Sequence, residues 1–230
     1  MKYKLQCTVM VLAVGWAGSA VAGNVVFLPA TGNWNIPANW SGGIVPDASQ
    51  SPIVYNGSIV TVNSNVGTCG SAFIGQGTPA TRKGTGQFRP GAVLTVANLF
   101  LGRDWGDYGQ FNQSGGTLTV NGSVSVGDSA GGGTGASGEL NLTGGSLQMA
   151  GGGSSVQVGN QGVGRMLVAG SALLSTPSLL VGNTADSSGS QLYQWGGTIY
   201  AGSFTVGSAG ASNCGFTISS GATVWGGRCW

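Results

Sequence analysis

The chain contains no histidine. That absence removes the Ser-His-Asp and Cys-His forms of nucleophilic catalysis and every histidine-bearing zinc site. Charge is almost as scarce, since Asp, Glu, Lys and Arg together make up 6% of the 230 residues. Lys2 and Lys4 sit at the extreme N-terminus. The remaining basic residues, Arg82, Lys83, Arg89, Arg103, Arg165 and Arg228, face an equal number of acids, Asp47, Asp104, Asp107, Asp128, Glu139 and Asp186. Without a basic face there are no counterions to release from a phosphate backbone, so no nucleic-acid partner is expected. Beyond residue 22 no apolar run approaches the roughly 20 residues of a membrane-spanning helix, so no membrane span is expected once the leader is removed.

The N-terminus reads as an export signal. Lys2 and Lys4 form a basic n-region, residues 8–18 a short apolar stretch, and Ala20-Val21-Ala22 a small-residue cleavage site. Cleavage after Ala22 predicts a chain that begins at Gly23 and is secreted or held at the cell surface. Cys7 falls within the leader. Cys69, Cys214 and Cys229 remain. They make no zinc motif. An oxidising compartment permits one disulfide, with Cys214 and Cys229 the candidate pair and Cys69 left over. The plainer reading makes all three small, partly buried fillers.

Glycine, by contrast, is abundant, at 46 residues, about three times its usual share. No Gly-X-Y period accompanies it, and β-branched residues alternate cleanly, so neither collagen nor disorder fits. A cassette recurs in which an aliphatic alternation ends in glycine: Phe73-Ile74-Gly75, Phe100-Leu101-Gly102, Val124-Ser125-Val126-Gly127, Val156-Gln157-Val158-Gly159, Leu180-Val181-Gly182 and Phe204-Thr205-Val206-Gly207. The spacing is 23 to 32 residues, the range of stacked repeats that cannot bury an apolar face alone. Each unit holds three short strand signals, for example 117–120, 123–126 and 139–142. Residues 110–117 are echoed by 191–198. Three strands per repeat predict an all-β, single-stranded, right-handed parallel β-helix of about six coils. Leu118 and Val120, Val124 and Val126, Leu140 and Leu142 are its expected inward residues.

The residues following the cassette glycines, Gln76, Arg103, Asp128, Asn160, Asn183 and Ser208, are expected to stack at one corner. There Asn and Asp tolerate left-handed backbone and bond their own turns. A polar turn ladder is the plainer reading, and a binding stripe the alternative. The segment from Gly32 to Asp47 breaks the pattern. Trp34 and Trp40 among prolines suit an N-terminal aromatic cap closing the solenoid end. The chain thus divides into 1–22, signal peptide; 23–66, cap and first strands; and 67–230, the repeat domain.

The Trp34-x5-Trp40-Ser41-Gly42-Gly43-x-x-Pro46 opening precedes repeats of the form Leu-x-Val-Gly…Gly-x-Leu-x-x-x-Gly-Gly-x-Leu-x-Val. Together they resemble secreted bacterial Gly-rich β-solenoid repeat proteins of the autotransporter passenger-like and PEP-CTERM-associated type. The similarity covers nearly all of the chain after residue 22. It is specific for architecture and carries little about activity. The sequence departs from those families in lacking a C-terminal outer-membrane barrel or a sorting tail, so their anchoring and self-export are not carried over.

Chemistry concentrates in one place, Arg103-Asp104-Trp105-Gly106-Asp107-Tyr108. Two carboxylates, an arginine and two aromatics are the parts of a glycan-contacting or glycosidase-like site, which needs carboxylates about 5–10 Å apart. Asp128, one coil on, joins Asp104 and Asp107 as a weak calcium candidate. By analogy with β-helix polysaccharide lyases, acid-bound calcium and a basic residue would serve that chemistry. The plainer reading is a solvated turn that keeps a neutral rod soluble. A second candidate is the face that strand alternation gives to Tyr193 and Trp195 if Leu192 and Gln194 point inward.

These residues lead to an exported structural or adhesive solenoid without catalytic residues or a required cofactor, whose partners are an extracellular glycan or a surface protein. A carbohydrate-active module, lyase-like or glycan-binding and calcium-dependent, is the alternative. A truncated fragment of a longer passenger is a third reading. An uncapped last coil also implies end-to-end self-association.

Overall fold

The computed structural model describes residues 23–77, 82–129, 135–208, 210–219 and 221–226. Residues 1–22, expected to be a leader, and Cys229 lie outside them. What they show is a parallel β-solenoid of about seven turns, with three strand faces per turn. The first face stacks Gly23–Val26, Gln50–Val54, Ala72–Ile74, Leu99–Leu101, Val124–Val126, Ser155–Val158, 178–181 and 203–206. The second begins with Thr31–Asn33 and Ser58–Val62 and ends with Gly215–Ile218. The third runs from Asn65–Cys69 to Thr223–Gly226. Every one of these pairings is parallel. Tyr108–Val120, Ser137–Met149, Val163–Val181 and Gln191–Val206 bend through corners as continuous strands.

The turn count exceeds the six cassettes for a local reason. Gln50–Val54 already pairs with Ala72–Ile74, and Asn65–Cys69 with Val93–Val96. That turn passes its corner through Asn56 and Gly57, both at positive φ, rather than through an aliphatic-glycine cassette. Stacked pairing therefore begins well before residue 67.

The interior is built from columns of one residue per turn. Leu94, Leu118, Leu147, Leu174 and Ile199 follow one another in register on the third face, all at most 2% exposed. Val54, Ile74, Leu101, Val126, Val158 and Val181 follow one another in register on the first, all at most 3% exposed. The expected inward pairs, Leu118/Val120, Val124/Val126 and Leu140/Leu142, are all buried. Each contributes about 1.5–3 kcal/mol of transfer free energy. On the second face Gly86 leaves the space that the ring of Phe111 fills in the next turn.

At the N-terminal end Phe27, Trp34 and Trp40 are buried, with edge-to-face contacts at 5.1 Å between Phe27 and Trp40 and 4.9 Å between the two tryptophans. Trp40 Nε1 donates to the Trp34 carbonyl at 2.7 Å. Both tryptophans serve as the lid.

Candidate functional site

The corner between the first and second faces carries the cassette glycines. Gly75, Gly102, Gly127, Gly159, Gly182 and Gly207 all have positive φ, and each amide donates to the carbonyl of the residue that precedes the corner one turn earlier, as Gly127 does to Leu101 at 2.8 Å. Directly against this corner runs a second column of small residues: Ser58, Gly84, Gly109, Gly138, Gly164, Ser190 and Cys214. A β-carbon on Gly84 or Gly109 would lie 2.1 Å from a carbonyl oxygen of the neighbouring turn. This column is what lets the corner loops lie close to the sheet.

Past the corner the expected polar ladder forms in part. Asn160 Nδ2 donates to Asp128 Oδ1 at 2.7 Å, Asn183 Nδ2 to Asn160 Oδ1 at 2.8 Å, and the Ser208 hydroxyl lies 3.4 Å from Asn183 Oδ1. Arg103 leaves the column. Its guanidinium sits 4.9 Å from the centroids of both Phe73 and Phe100, whose rings stack at 5.1 Å on the outer side of the first face. An arginine is drawn there because its weakly hydrated plane covers aromatic carbon while keeping its charge.

The carboxylates are held by the loop itself. Asp107 is fully buried, and its Oδ2 accepts the Asp104 amide at 2.9 Å. Arg82 Nε stands 3.9 Å from Asp107 Oδ1. Burial pushes the Asp107 carboxyl up to about 6, the Asp104 amide pulls it down, and the Asp104 charge and Arg82 act in opposite directions. Asp104 accepts from Gln76 Nε2 at 3.1 Å. Asp128 is raised by burial, against the Asn160 bond and the field of Arg103. Asp104, Asp107 and Asp128 thus share one neighbourhood, yet among the described residues no group of three or more His, Cys, Asp or Glu is arranged to hold a metal ion. Trp105 is 61% exposed, with Arg82 Cζ 5.5 Å from its ring.

Tyr108 faces another way. It stands on the outer side of the second face, hydrogen-bonded to Glu139, and burial followed by that bond lifts its hydroxyl to about 12. Gln110 Nε2 also donates to Glu139, at 3.0 Å. Tyr108, Glu139 and Arg165, with Ser137, Gly138 and Val163, line a groove of about 210 Å³. Glu139 and Arg165 are neighbours in register, which sequence reading on the 103–108 loop alone misses. The signal was present in the alternation of Gly138-Glu139-Leu140 and Gly164-Arg165-Met166, which points both charges outward.

Leu192 and Gln194 are inward and fully buried, and Tyr193 and Trp195 are outward with ring centroids 5.9 Å apart. They lie three turns from Tyr108, about 14 Å along the axis, so the two sets of candidates form separate surfaces. Gln194 and its counterpart Gln113 are buried amides that brace the next corner. Gln113 Nε2 reaches the carbonyls of Gly116 and Ser146, and Gln194 Nε2 those of Gly197 and Thr223.

Cys69 is a buried thiol, lifted by burial to about 12, and Cys214 is half-buried in the small-residue column; neither is in a disulfide among the described residues. The other member of the candidate disulfide, Cys229, is outside the described residues. Among the described residues no helix is long and apolar enough to cross a membrane. No family model, curated protein or solved structure matches this chain.

Proposed function

We propose that the chain is an exported structural or adhesive rod of the cell surface or extracellular matrix, of the kind its resemblance to autotransporter passenger-like and PEP-CTERM-associated solenoids implies. One observation carries this reading. The outer surface is tied turn to turn by uncharged ladders, Asn112 to Asn141, Asn160 to Asn183, Thr117 to Ser146 and Ser178 to Ser203, while the scarce charges at the corner are spent on the loop itself. Asp107, whose carboxyl burial raises to about 6, is fully buried within its loop, and a carboxyl so placed is out of reach of a substrate. Expression of the whole chain tests the reading. Protein is expected in the medium or at the surface, beginning at Gly23, resistant to protease and adherent to glycan- or matrix-coated surfaces. Retention in the cytoplasm with residues 1–22 intact would overturn it.

The alternative, a carbohydrate-active module, is favoured by the Tyr108–Glu139–Arg165 groove. It predicts binding or cleavage of polyuronides that is lost in Glu139→Gln/Arg165→Gln. A blank screen with and without calcium, from protein that retains its β-sheet signature, rejects it.

A further inference from the structure

A single outward column on the third face passes through Thr68, Thr95, Thr119, Gln148, Ser175, Tyr200 and Trp225, one residue per turn. For five turns it holds small hydroxyls and one amide. In the last two it changes to large rings, Tyr200 at 47% exposure and Trp225 at 61%. Strand pairing places their backbones about 4.8 Å apart, but the two rings make no stacking contact with each other. Between them lies a shallow groove of about 380 Å³ lined by Ser175, Thr176, Tyr200, Ala201, Gly202, Trp225 and Gly226.

The chemistry of this lining is specific. Among the described residues it contains no charged side chain. Its floor is small, through Ala201, Gly202 and Gly226. Thr176 is already engaged, its hydroxyl donating to the Ser178 carbonyl at 2.7 Å, whereas no other described residue hydrogen-bonds the hydroxyls of Ser175 or Tyr200. Exposed rings with an apolar face and a polar edge favour a ligand that is itself apolar on one face and rich in hydroxyls at its rim. A pyranose is such a ligand, and the rise between turns is close to the length of one sugar along an extended glycan. Among the described residues no cation lines the groove for an anionic glycan to meet. A protein partner of standard size would need a contiguous surface of about 800 Å², and this groove is flanked by the polar Gln148 and Ser175 part of the column.

We propose that Tyr200, Trp225 and the hydroxyls of Ser175 and Tyr200 form a binding site for an uncharged pyranose glycan. The inference rests on the adhesive reading and gives it a ligand class and a surface distinct from both the 103–108 loop and the Tyr108 groove.

The column itself supplies the test variant. Tyr200→Ser/Trp225→Thr restores the residue types used in the earlier turns, so folding is expected to survive. The whole chain is run by affinity electrophoresis through gels containing a soluble neutral glucan, mannan or xylan, with polygalacturonate as the charged comparison. Retardation is expected in at least one neutral gel, with an affinity that falls about tenfold or more in the double variant and is unchanged in Gln148→Ala. The β-sheet circular dichroism is followed in parallel. The proposal is overturned by absence of retardation in all neutral gels, by retardation confined to polygalacturonate, or by retention in the folded double variant. It is equally overturned if sedimentation shows that the two rings mediate contact between copies of the chain. Export and protease resistance that persist without glycan binding would sink this inference while leaving the rod intact.

Discussion

Gly109 lies so close to the preceding turn that a β-carbon on it would stand 2.1 Å from the carbonyl oxygen of Ile74. Backbone cannot yield here, because Ile74 O also accepts the Gly102 amide at 2.9 Å. Gly109→Ala is therefore expected to cost about 3 kcal/mol or more. Gly153, whose β-carbon would meet nothing within 4 Å, should accept alanine within about 0.5 kcal/mol. Urea titration of the two variants checks the contrast.

The lid predicts an asymmetry between two tryptophans. Trp40 Nε1 donates to the Trp34 carbonyl, whereas Trp34 Nε1 is buried with no partner among the described residues. Trp40→Phe leaves a buried carbonyl unpaired and should cost about 1 kcal/mol more than Trp34→Phe. Either tryptophan changed to alanine should cost about 3–5 kcal/mol. Equal losses for the two phenylalanine variants would show that the indole bond is immaterial.

Asp107 makes stability depend on pH. Its folded carboxyl binds a proton more tightly than the unfolded one, which titrates near 3.9. Stability is therefore highest below about pH 4 and declines as pH rises to about 6. Asp128, also raised by burial, adds a slope of the same sign. Asp107→Asn keeps an oxygen for the Asp104 amide and is expected to flatten most of the decline, measured as melting temperature between pH 4 and 7. A wild-type chain whose stability rises across that window would contradict this account.

Gln113 offers a sharper electrostatic test. Its amide nitrogen faces two carbonyl oxygens, Gly116 at 3.3 Å and Ser146 at 2.9 Å, from a fully buried position. Gln113→Glu sets a carboxylate against both, and is expected to lower stability by more than about 3 kcal/mol at neutral pH. Acidification should recover part of the loss, because a protonated carboxyl donates again. Loss of the same size at pH 4 and pH 7 would place the cause in packing instead.

The inward columns were readable because strand alternation is binary. Once Val124 and Val126 point in, Ser125 must point out, and a repeat places the same choice in every turn. Trp34 and Trp40 were readable because bulky rings among prolines break a repeat where a lid is needed. The turn of Gln50–Val54, Ser58–Val62 and Asn65–Cys69 adds to the six cassettes because its corner uses Asn56-Gly57 in place of one. Arg103 could not be placed by column logic, since its stem is long enough to leave the ladder and reach the Phe73–Phe100 stack. The second glycine column was visible as Tyr108-Gly109-Gln110-Phe111, Ser137-Gly138-Glu139-Leu140 and Val163-Gly164-Arg165-Met166. Its meaning was not, because the carbonyl it must avoid comes from about 35 residues earlier and is brought near only by the coil. The 103–108 loop advertised reactive groups in sequence, but burial of Asp107 is a three-dimensional fact.

The lid closes one end of the stack, while the strands of the last described turn, Gly215–Ile218 and Thr223–Gly226, are half-buried or exposed throughout. Each turn holds only its neighbours, so local opening free energy differs from turn to turn within the stack. Denaturant should open the half-buried and exposed strands Gly215–Ile218 and Thr223–Gly226 before the turns packed on the buried Trp40. Amide exchange would then read as a gradient along the axis, slow near the tryptophans and fast in Thr223–Gly226.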